Sequence, residues 1–153
     1  KPLELQAAIG LVQVKKLPEF VAARRRNYRV LAEAMAPHDP LLTFQRATTA
    51  SEPSWFGFLM TLRPDLPFGR ADVVRRVEDA NVQTRMLFGG NLARQPAYLE
   101  VPTRIARPLV YADGLLERAF FVGVYPGIDP PRAETIARTL DGALRACARS
   151  PCA

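Results

Sequence analysis

The sequence predicts an α/β chain in which long leading helices precede a small α+β domain, and three observations support this. Apolar side chains recur at helical spacing through the first 38 residues. Farther along, apolar runs of strand length at 54–62 and 120–126 alternate with segments of helical spacing. The 153 residues are 48% hydrophobic and 24% charged, and no apolar run reaches the roughly 18 residues of a membrane helix. A globular chain with no membrane partner is therefore expected.

The leading helices give the first indication of a partner. Residues 3–14 are apolar around the whole helical circumference, so we expect a second domain or a second subunit to bury them. Pro18 is suited to the first position of a second helix, which Pro37 ends. His38, the sole histidine, is expected in a surface loop. A basic run on the second helix is expected to be its solvated face, and consists of Arg24, Arg25, Arg26 and Arg29.

The rest of the chain is expected to alternate short strands with helices. Trp55, Phe56 and Phe58 are interpreted as core residues rather than as a platform for stacking a cofactor. Asn81 is suited to the left-handed position that ends a helix, and Asp129 is suited to an N-cap. In chain order the prediction is strand 41–46, strand 54–62, helix 70–80, strand 82–86, helix 112–118, strand 120–126 and helix 130–147.

Residues 87–110 form the longest segment without periodicity. Such a stretch inside a compact domain is usually functional or disordered. Guanidinium, amide and phenol groups are suited to binding a polyphosphate or a sugar, although a proline-rich surface loop with solvated arginines stays open as an interpretation. The groups in and beside this segment are Arg85, Asn91, Arg94, Tyr98, Arg104 and Arg107.

Composition narrows the classes of function. The net charge is +6, but the charges are scattered and accompany no RNA- or DNA-binding motif, so no nucleic-acid partner is expected. A single histidine argues against a catalytic triad or a multi-histidine metal site, and Cys147 and Cys152 match no zinc spacing. The chain shows no secretory leader pattern, and a cytoplasmic location is expected.

Four segments carry a resemblance to a known family. The segment LELQAAIGLVQVKKLPEFVAARRRNY (3–28) resembles the DegT/DnrJ/StrS family of sugar aminotransferases. PSWFGF (53–58), TRMLFGGNLARQPAY (84–98) and FFVGVYPGI (120–128) look like its RfbH branch, the CDP-4-keto-6-deoxyglucose 3-dehydrases. The first segment is shared across the family and does not separate aminotransferase from dehydrase. The resemblance spans nearly all of this chain, but about the last third of a typical member.

The resemblance implies the C-terminal part of a type I pyridoxal-phosphate (PLP) fold with a short, mainly antiparallel sheet. On this basis residues 1–38 are helices that lead to a large cofactor domain, 39–147 form the small domain, and 148–153 are a frayed tail. Family members are expected to be homodimers that bind PLP or pyridoxamine phosphate (PMP) mainly through upstream segments.

The resemblance also implies the chemistry of the intact enzyme. The substrate is a nucleotide-sugar, and the product is a 3,6-dideoxyhexose for lipopolysaccharide or natural-product biosynthesis. In the CDP-sugar enzymes, a [2Fe-2S] cluster and a separate iron–sulfur flavin reductase deliver electrons. The two cysteines of this chain do not match the cluster cysteines.

The residues that match the family motifs lie on the substrate side. Arg85 and Arg94 are expected to hold the pyrophosphate of the sugar nucleotide, with Asn91 and Tyr98 near the hexose. Tyr125 matches the family's tyrosine–proline–glycine turn. No catalytic, cofactor-binding or metal-binding residue carries over, so the isolated chain is expected to be inactive.

Two alternatives remain open. A PLP-dependent sugar aminotransferase has the same fold, and an upstream His or Lys at the Schiff-base position separates it from the dehydrase. A truncated, non-catalytic remnant is the other alternative, with the first helix as its docking surface. Gly114 stands where the dehydrase branch usually has an arginine, which leaves the choice of sugar open.

Overall fold

The computed structural model describes residues 3–149, which form helices on a small sheet. The helices in this part are α1 (Glu4–Met35), α2 (Arg70–Asp79), α3 (Val110–Arg118) and α4 (Pro130–Arg149). Its strands are β1 (Leu42–Phe44), β2 (Gly57–Leu62), β3 (Thr84–Met86) and β4 (Ala119–Gly123). Short 3₁₀ turns lie at Ala36–His38, Leu92–Arg94 and Pro96–Tyr98. The predicted order of strands and helices after residue 40 is confirmed.

The sheet is antiparallel in every described pairing, in the order β1-β2-β4-β3. Leu42 pairs with Leu62, while Phe58 and Thr84 both pair with Val122 from opposite sides. The short antiparallel sheet that the sequence predicts is therefore confirmed. Its order places β3 at an edge, directly after the turn that ends α2.

The core lies between the sheet and the helices α1, α2 and α4. Strand β2 alternates buried Phe58, Met60 and Leu62 with half-buried residues, as a strand with one face on a core does. Cys147 is buried within this core, whereas Cys152 lies outside the described residues. The helices contribute fully buried side chains to the same cluster, among them Leu31, Met35, Val73, Val77, Leu140 and Leu144.

Two helix ends follow the signals in the sequence. Asn81 adopts a left-handed conformation, with φ of 60°, directly after α2. Asp129 Oδ1 accepts a hydrogen bond from the Arg132 amide at 2.9 Å and so caps α4. Helix α4 continues through Arg149, so the predicted frayed tail is wrong for residues 148 and 149, and 150–153 lie outside the described residues.

The predicted helix break at Pro18 is wrong, because α1 runs through it as one helix. A proline inside a helix removes the hydrogen bond from its own missing N–H, here to the carbonyl of Val14, and its ring crowds that carbonyl. Both residues lie in the exposed part of α1, where water can satisfy the freed carbonyl. Good helix formers on both sides then carry the helix across the proline.

Three of the four arginines in the basic run of α1 are not simply solvated, contrary to the prediction, while Arg29 is exposed as predicted. Arg24 Nη1 donates to the carbonyl of Trp55 at 2.9 Å, and Arg25 Nε donates to that of Pro53 at 3.2 Å. Arg26 Nη2 donates to the carbonyl of Ile128 at 3.3 Å. These arginines fasten α1 to the loop before β2 and to the turn before α4, contacts that lie 28 to 102 residues away in sequence.

His38 is buried rather than in an exposed loop. The 3₁₀ turn that continues α1 brings its ring onto α4, where Nε2 lies 2.8 Å from Asp141 Oδ1. A carboxylate partner allows an imidazole to be buried without losing its hydrogen bond. Hydrogen bonds from Arg145 first, and then from His38, hold the pKa of Asp141 below its usual range.

The apolar first half of α1 is exposed within residues 3–149. Leu5 is 72% and Leu11 is 68% exposed, whereas Leu31 on the same helix is 1% exposed. The burial of this half by another domain or subunit stays a prediction.

Candidate functional site

A groove of about 1100 Å³ opens beside β3 and β4. Its size is comparable to that of the larger small-molecule sites in proteins. Strand β3 lines it because the turn at Asn81 directs the chain from α2 to the sheet edge. The side chains that define its chemistry are Arg24, Arg85, Arg132, Phe56, Phe88 and Phe121.

The three arginines of the groove differ in how fully they are engaged. Arg24 donates to two main-chain carbonyls, and Arg132 lies 3.3 Å from the carboxylate of Asp129. Arg85 is exposed on the edge strand, and its guanidinium bonds to no other side chain or carbonyl within residues 3–149. A guanidinium without a protein partner is the group best suited to an incoming phosphate or carboxylate.

Three phenylalanines form an aromatic cluster in the same groove as Arg85, with Phe56 and Phe88 exposed and Phe121 half-buried. The ring centroids of Phe56, Phe88 and Phe121 lie 5.8–6.1 Å apart in tilted or edge-on pairs. Phe56 is 67% exposed, so its predicted place in the core is wrong, although Phe58 is buried and Trp55 stacks on Tyr28. Phe56 differs from Phe58 because it precedes β2, which begins at Gly57, and therefore does not belong to the strand.

The loop after β3 is fixed to α3 through one carboxylate, that of Asp113. Asp113 Oδ1 accepts from Asn91 Nδ2 at 2.8 Å and from Arg94 Nε at 3.0 Å. Its Oδ2 accepts from Arg94 Nη2 at 3.2 Å, which completes a forked ion pair. The hydrogen bond from Arg94, and then that from Asn91, lowers the pKa of Asp113. We call Asn91, Arg94 and Asp113 the loop lock.

The predicted site residues thus fall into separate groups. Arg85 and Tyr125 line the same groove, while Asn91 and Arg94 belong to the loop lock. Tyr98 is exposed in the turn that follows the lock and does not line the groove. Their predicted contacts with substrate stay predictions.

Gly114 lies next to the lock, at the position where the family resemblance expects an arginine. A Cβ atom on Gly114 would collide with Arg118 Nη2, so the guanidinium of Arg118 already covers this position. Arg118 also donates to the carbonyl of Leu62 at 3.3 Å. An arginine is therefore present beside Gly114, supplied one turn later along α3.

Sequence reasoning did not single out Asp113, Phe88, Phe121 or Arg132 as site residues. Asp113 lies 19 and 22 residues from its two partners, so no local pattern links them. The sequence predicts that Phe121 lies in a strand, but the face on which its side chain lies depends on the register of that strand.

The chain belongs to the DegT/DnrJ/EryC1/StrS aminotransferase family, whose profile matches residues 3–141. It is 48% identical over 128 residues to dTDP-4-dehydro-2,6-dideoxy-D-glucose 3-dehydratase of Saccharopolyspora spinosa. It is 37% identical over 128 residues to the lipopolysaccharide biosynthesis protein RfbH of Salmonella typhimurium. Each match covers 84% of this chain but only 28% and 29% of the relative, so the chain spans less than a third of their length.

Solved structures agree with the family. The E. coli GDP-4-keto-6-deoxy-D-mannose-3-dehydratase with bound hydrated PLP has a TM-score of 0.78 and 28% identity, over 92% of this chain and 36% of that one. An aminotransferase from Psychrobacter cryohalolentis has a TM-score of 0.82 at 19% identity, over 94% and 39%. The latter shows the fold alone. The predicted C-terminal part of a PLP-dependent transferase fold is confirmed.

In the part of the chain that it describes, the structure shows no candidate metal-ligand cluster and no candidate membrane span. Within residues 3–149, no cluster of three or more His, Cys, Asp and Glu side chains is arranged to hold a metal ion. None of the helices there combines the length and the apolar character needed to cross a membrane.

Proposed function

We propose that this chain is the C-terminal portion of a PMP- or PLP-dependent nucleotide-sugar 3-dehydratase. The observation that carries the proposal is the identity of 34–48% to RfbH and to proteins named as 3-dehydratases. We further propose CDP-4-keto-6-deoxyglucose as the substrate, in 3,6-dideoxyhexose or lipopolysaccharide biosynthesis. The dTDP and GDP sugars in the names of the relatives are the competing substrates.

The geometry supports a substrate-binding role for this portion. Arg85 lies on the edge strand β3 and lines the groove, and its guanidinium has no partner within residues 3–149, which leaves it available to the diphosphate. Arg94 and Tyr98 are exposed on the neighbouring loop, and Tyr125 faces the groove from the turn after β4. Asn91 is 4% exposed and bonds to Asp113 and to the amide of Ala93, so its contribution is to hold the loop.

The described residues do not make a PLP site by themselves. The described lysines, Lys15 and Lys16, are exposed on α1, and neither lines the groove. No acidic side chain lines the groove to face a pyridine nitrogen. We therefore assign the cofactor to other segments of a longer protein and derive no chemical step through it here. A homodimer, a [2Fe-2S] cluster, a reductase partner and a cytoplasmic location likewise remain proposals for that longer protein.

Product analysis of the longer protein tests this function. The protein is incubated with CDP-4-keto-6-deoxyglucose and PMP, with and without an electron donor, and the products are examined by mass spectrometry and NMR. The proposal predicts a product that has lost the oxygen at C3. A 4-amino sugar that forms with glutamate and keeps the C3 hydroxyl would instead identify a sugar aminotransferase. Parallel reactions with the dTDP and GDP sugars test the nucleotide.

A further inference from the structure

The segment that precedes Tyr98 is held in place before any ligand arrives. Gly90 has φ of 58°, and a Cβ atom there would lie 2.7 Å from Leu116 Cδ1 and 3.2 Å from Leu116 Cα. Only a glycine allows so close an approach to α3 in this conformation. Gln95 Nε2 also donates to the carbonyl of Gly89 at 2.7 Å. Gly90 is thus packed against α3, and Gln95 closes the loop onto Gly89, without any contribution from the lock.

The lock determines which edge of Arg94 is available. Its Nε and Nη2 atoms face Asp113, while Nη1 has no hydrogen-bond partner within residues 3–149. The side chain is nevertheless 60% exposed. An arginine that is already held in one orientation loses less conformational freedom when it binds a ligand than a mobile one does.

Because of the lock, Arg94 and Arg85 also differ in whether their positive charge is neutralised by a neighbouring carboxylate. The pair of Arg94 and Asp113 is neutral overall, because the low pKa of Asp113 keeps it ionised at neutral pH. Arg85 carries an uncompensated positive charge. Arg85 is therefore suited to a phosphate group, whereas the free edge of Arg94 is suited to a neutral acceptor.

We propose that Asp113 is a positioning residue for the nucleotide-sugar site, which holds Asn91 and Arg94 so that the free Nη1 edge of Arg94 contacts the ligand. This inference rests on the proposed function. It assigns to α3 a part in substrate binding, although no residue of α3 lines the groove.

A double-mutant cycle on the longer protein tests the inference. Affinity for CDP-4-keto-6-deoxyglucose, and for its dTDP and GDP counterparts, is measured by calorimetry without added cofactor. We expect Arg94→Ala and Asp113→Ala each to weaken binding about tenfold. The double variant should bind within about threefold of Arg94→Ala, because residues that act through one contact are not additive. Glu134→Gln, which removes an exposed carboxylate on α4, is the matched control and should bind normally.

Asp113→Asn covers the case in which the alanine variant does not fold, since it keeps the size of the side chain and removes only its charge. We expect it to weaken binding while the midpoint of thermal unfolding changes little. Normal affinity of folded Asp113 variants, or fully additive losses in the cycle, overturns the positioning role and leaves the proposed function intact. If the unsubstituted protein binds none of the three nucleotide-sugars, the proposed function fails, and the inference fails with it.

Discussion

Asn27 and Asn91 are both buried asparagines, but their amides hold different regions together. Asn27 Nδ2, on α1, donates to the carbonyls of Tyr125 at 3.1 Å and Ile128 at 3.0 Å, about 100 residues away. Asn91 Nδ2, in the loop after β3, donates to the side chain of Asp113, 22 residues away. The hydrogen bonds of Asn27 link α1 to the turn before α4, whereas the hydrogen bond of Asn91 holds one loop against α3.

The arginines of the two regions also differ in their hydrogen-bond partners. Arg24, Arg25 and Arg26 on α1 donate to main-chain carbonyls and fasten the helix. Within residues 3–149, the guanidinium of Arg85 has no partner, and Nη1 of Arg94 is free. Residue type alone therefore does not identify an anion site. The partners of each guanidinium decide whether it stabilises the fold or remains available to a ligand.

The largest expected effect is on stability, from Asn27→Ala. The substitution removes two hydrogen bonds from a buried amide, each contributing about 1 kcal/mol, and we expect it to lower the free energy of unfolding by about 2 kcal/mol. Asn91→Ala is the matched control and should cost about 1 kcal/mol or less, because its loss opens only the loop. Urea unfolding of the chain measures both. Equal losses would abolish the distinction between the two regions.

Arg85→Ala should weaken binding of the nucleotide-sugar to the longer protein by about 10- to 30-fold, because a hydrogen bond to a charged group contributes about 1.5–3 kcal/mol and the exposure of Arg85 favours the lower part of that range. Its stability should be nearly unchanged, because Arg85 is exposed and bonds to no other side chain. Arg75→Ala, at an exposed position on α2, is the control for the loss of positive charge. A calorimetric loss below threefold contradicts the role of Arg85.

Arg24→Ala should lower stability rather than affinity, and its effect should be smaller than that of Arg85→Ala on affinity. It removes donors to the carbonyls of Trp55 and Phe56, and we expect the free energy of unfolding to fall by about 1 kcal/mol. Because Arg24 is already engaged, affinity for the nucleotide-sugar should change less than in Arg85→Ala. A larger loss of affinity than of stability would show that Arg24 belongs to the ligand site.

Acid should weaken both regions slightly, through different carboxylates. Arg94 lowers the pKa of Asp113, and Arg145 lowers that of Asp141. A lowered pKa stabilises the fold at pH values above the usual value of about 3.9, and that contribution is lost as pH falls through the lowered value. In unfolding measured from about pH 5 to pH 2, Asp113→Asn and Asp141→Asn should each flatten the pH dependence. A slope identical to that of the unsubstituted chain would contradict the corresponding pairing.

Much of the fold could be predicted because its signals are local. The positive φ of Asn81, the cap at Asp129 and the apolar spacing of α4 each depend on a few neighbouring residues. Two of the errors, at His38 and at the basic run of α1, concern contacts that are distant in sequence. His38 is buried because Asp141 lies opposite it, 103 residues later, and no pattern around His38 indicates that partner.

The candidate site could be predicted only in outline for the same reason. The loop and its polar residues stand out in the sequence, and Arg85 and Tyr125 do line one groove. The division between an unpaired Arg85 and an Arg94 paired with Asp113 depends on how the loop folds back onto α3. Spacing along the chain carries no information about that pairing.

Hydrogen–deuterium exchange of the longer protein, with and without CDP-4-keto-6-deoxyglucose and its dTDP and GDP counterparts, is the most direct test of the central claim. The claim is that β3 and the loop after it bind the ligand, while the arginines of α1 hold the fold. We expect the bound nucleotide-sugar to slow exchange across residues 85–98 and to leave residues 20–35 of α1 unchanged. Protection confined to α1, or none across 85–98 with ligand bound, would contradict the account.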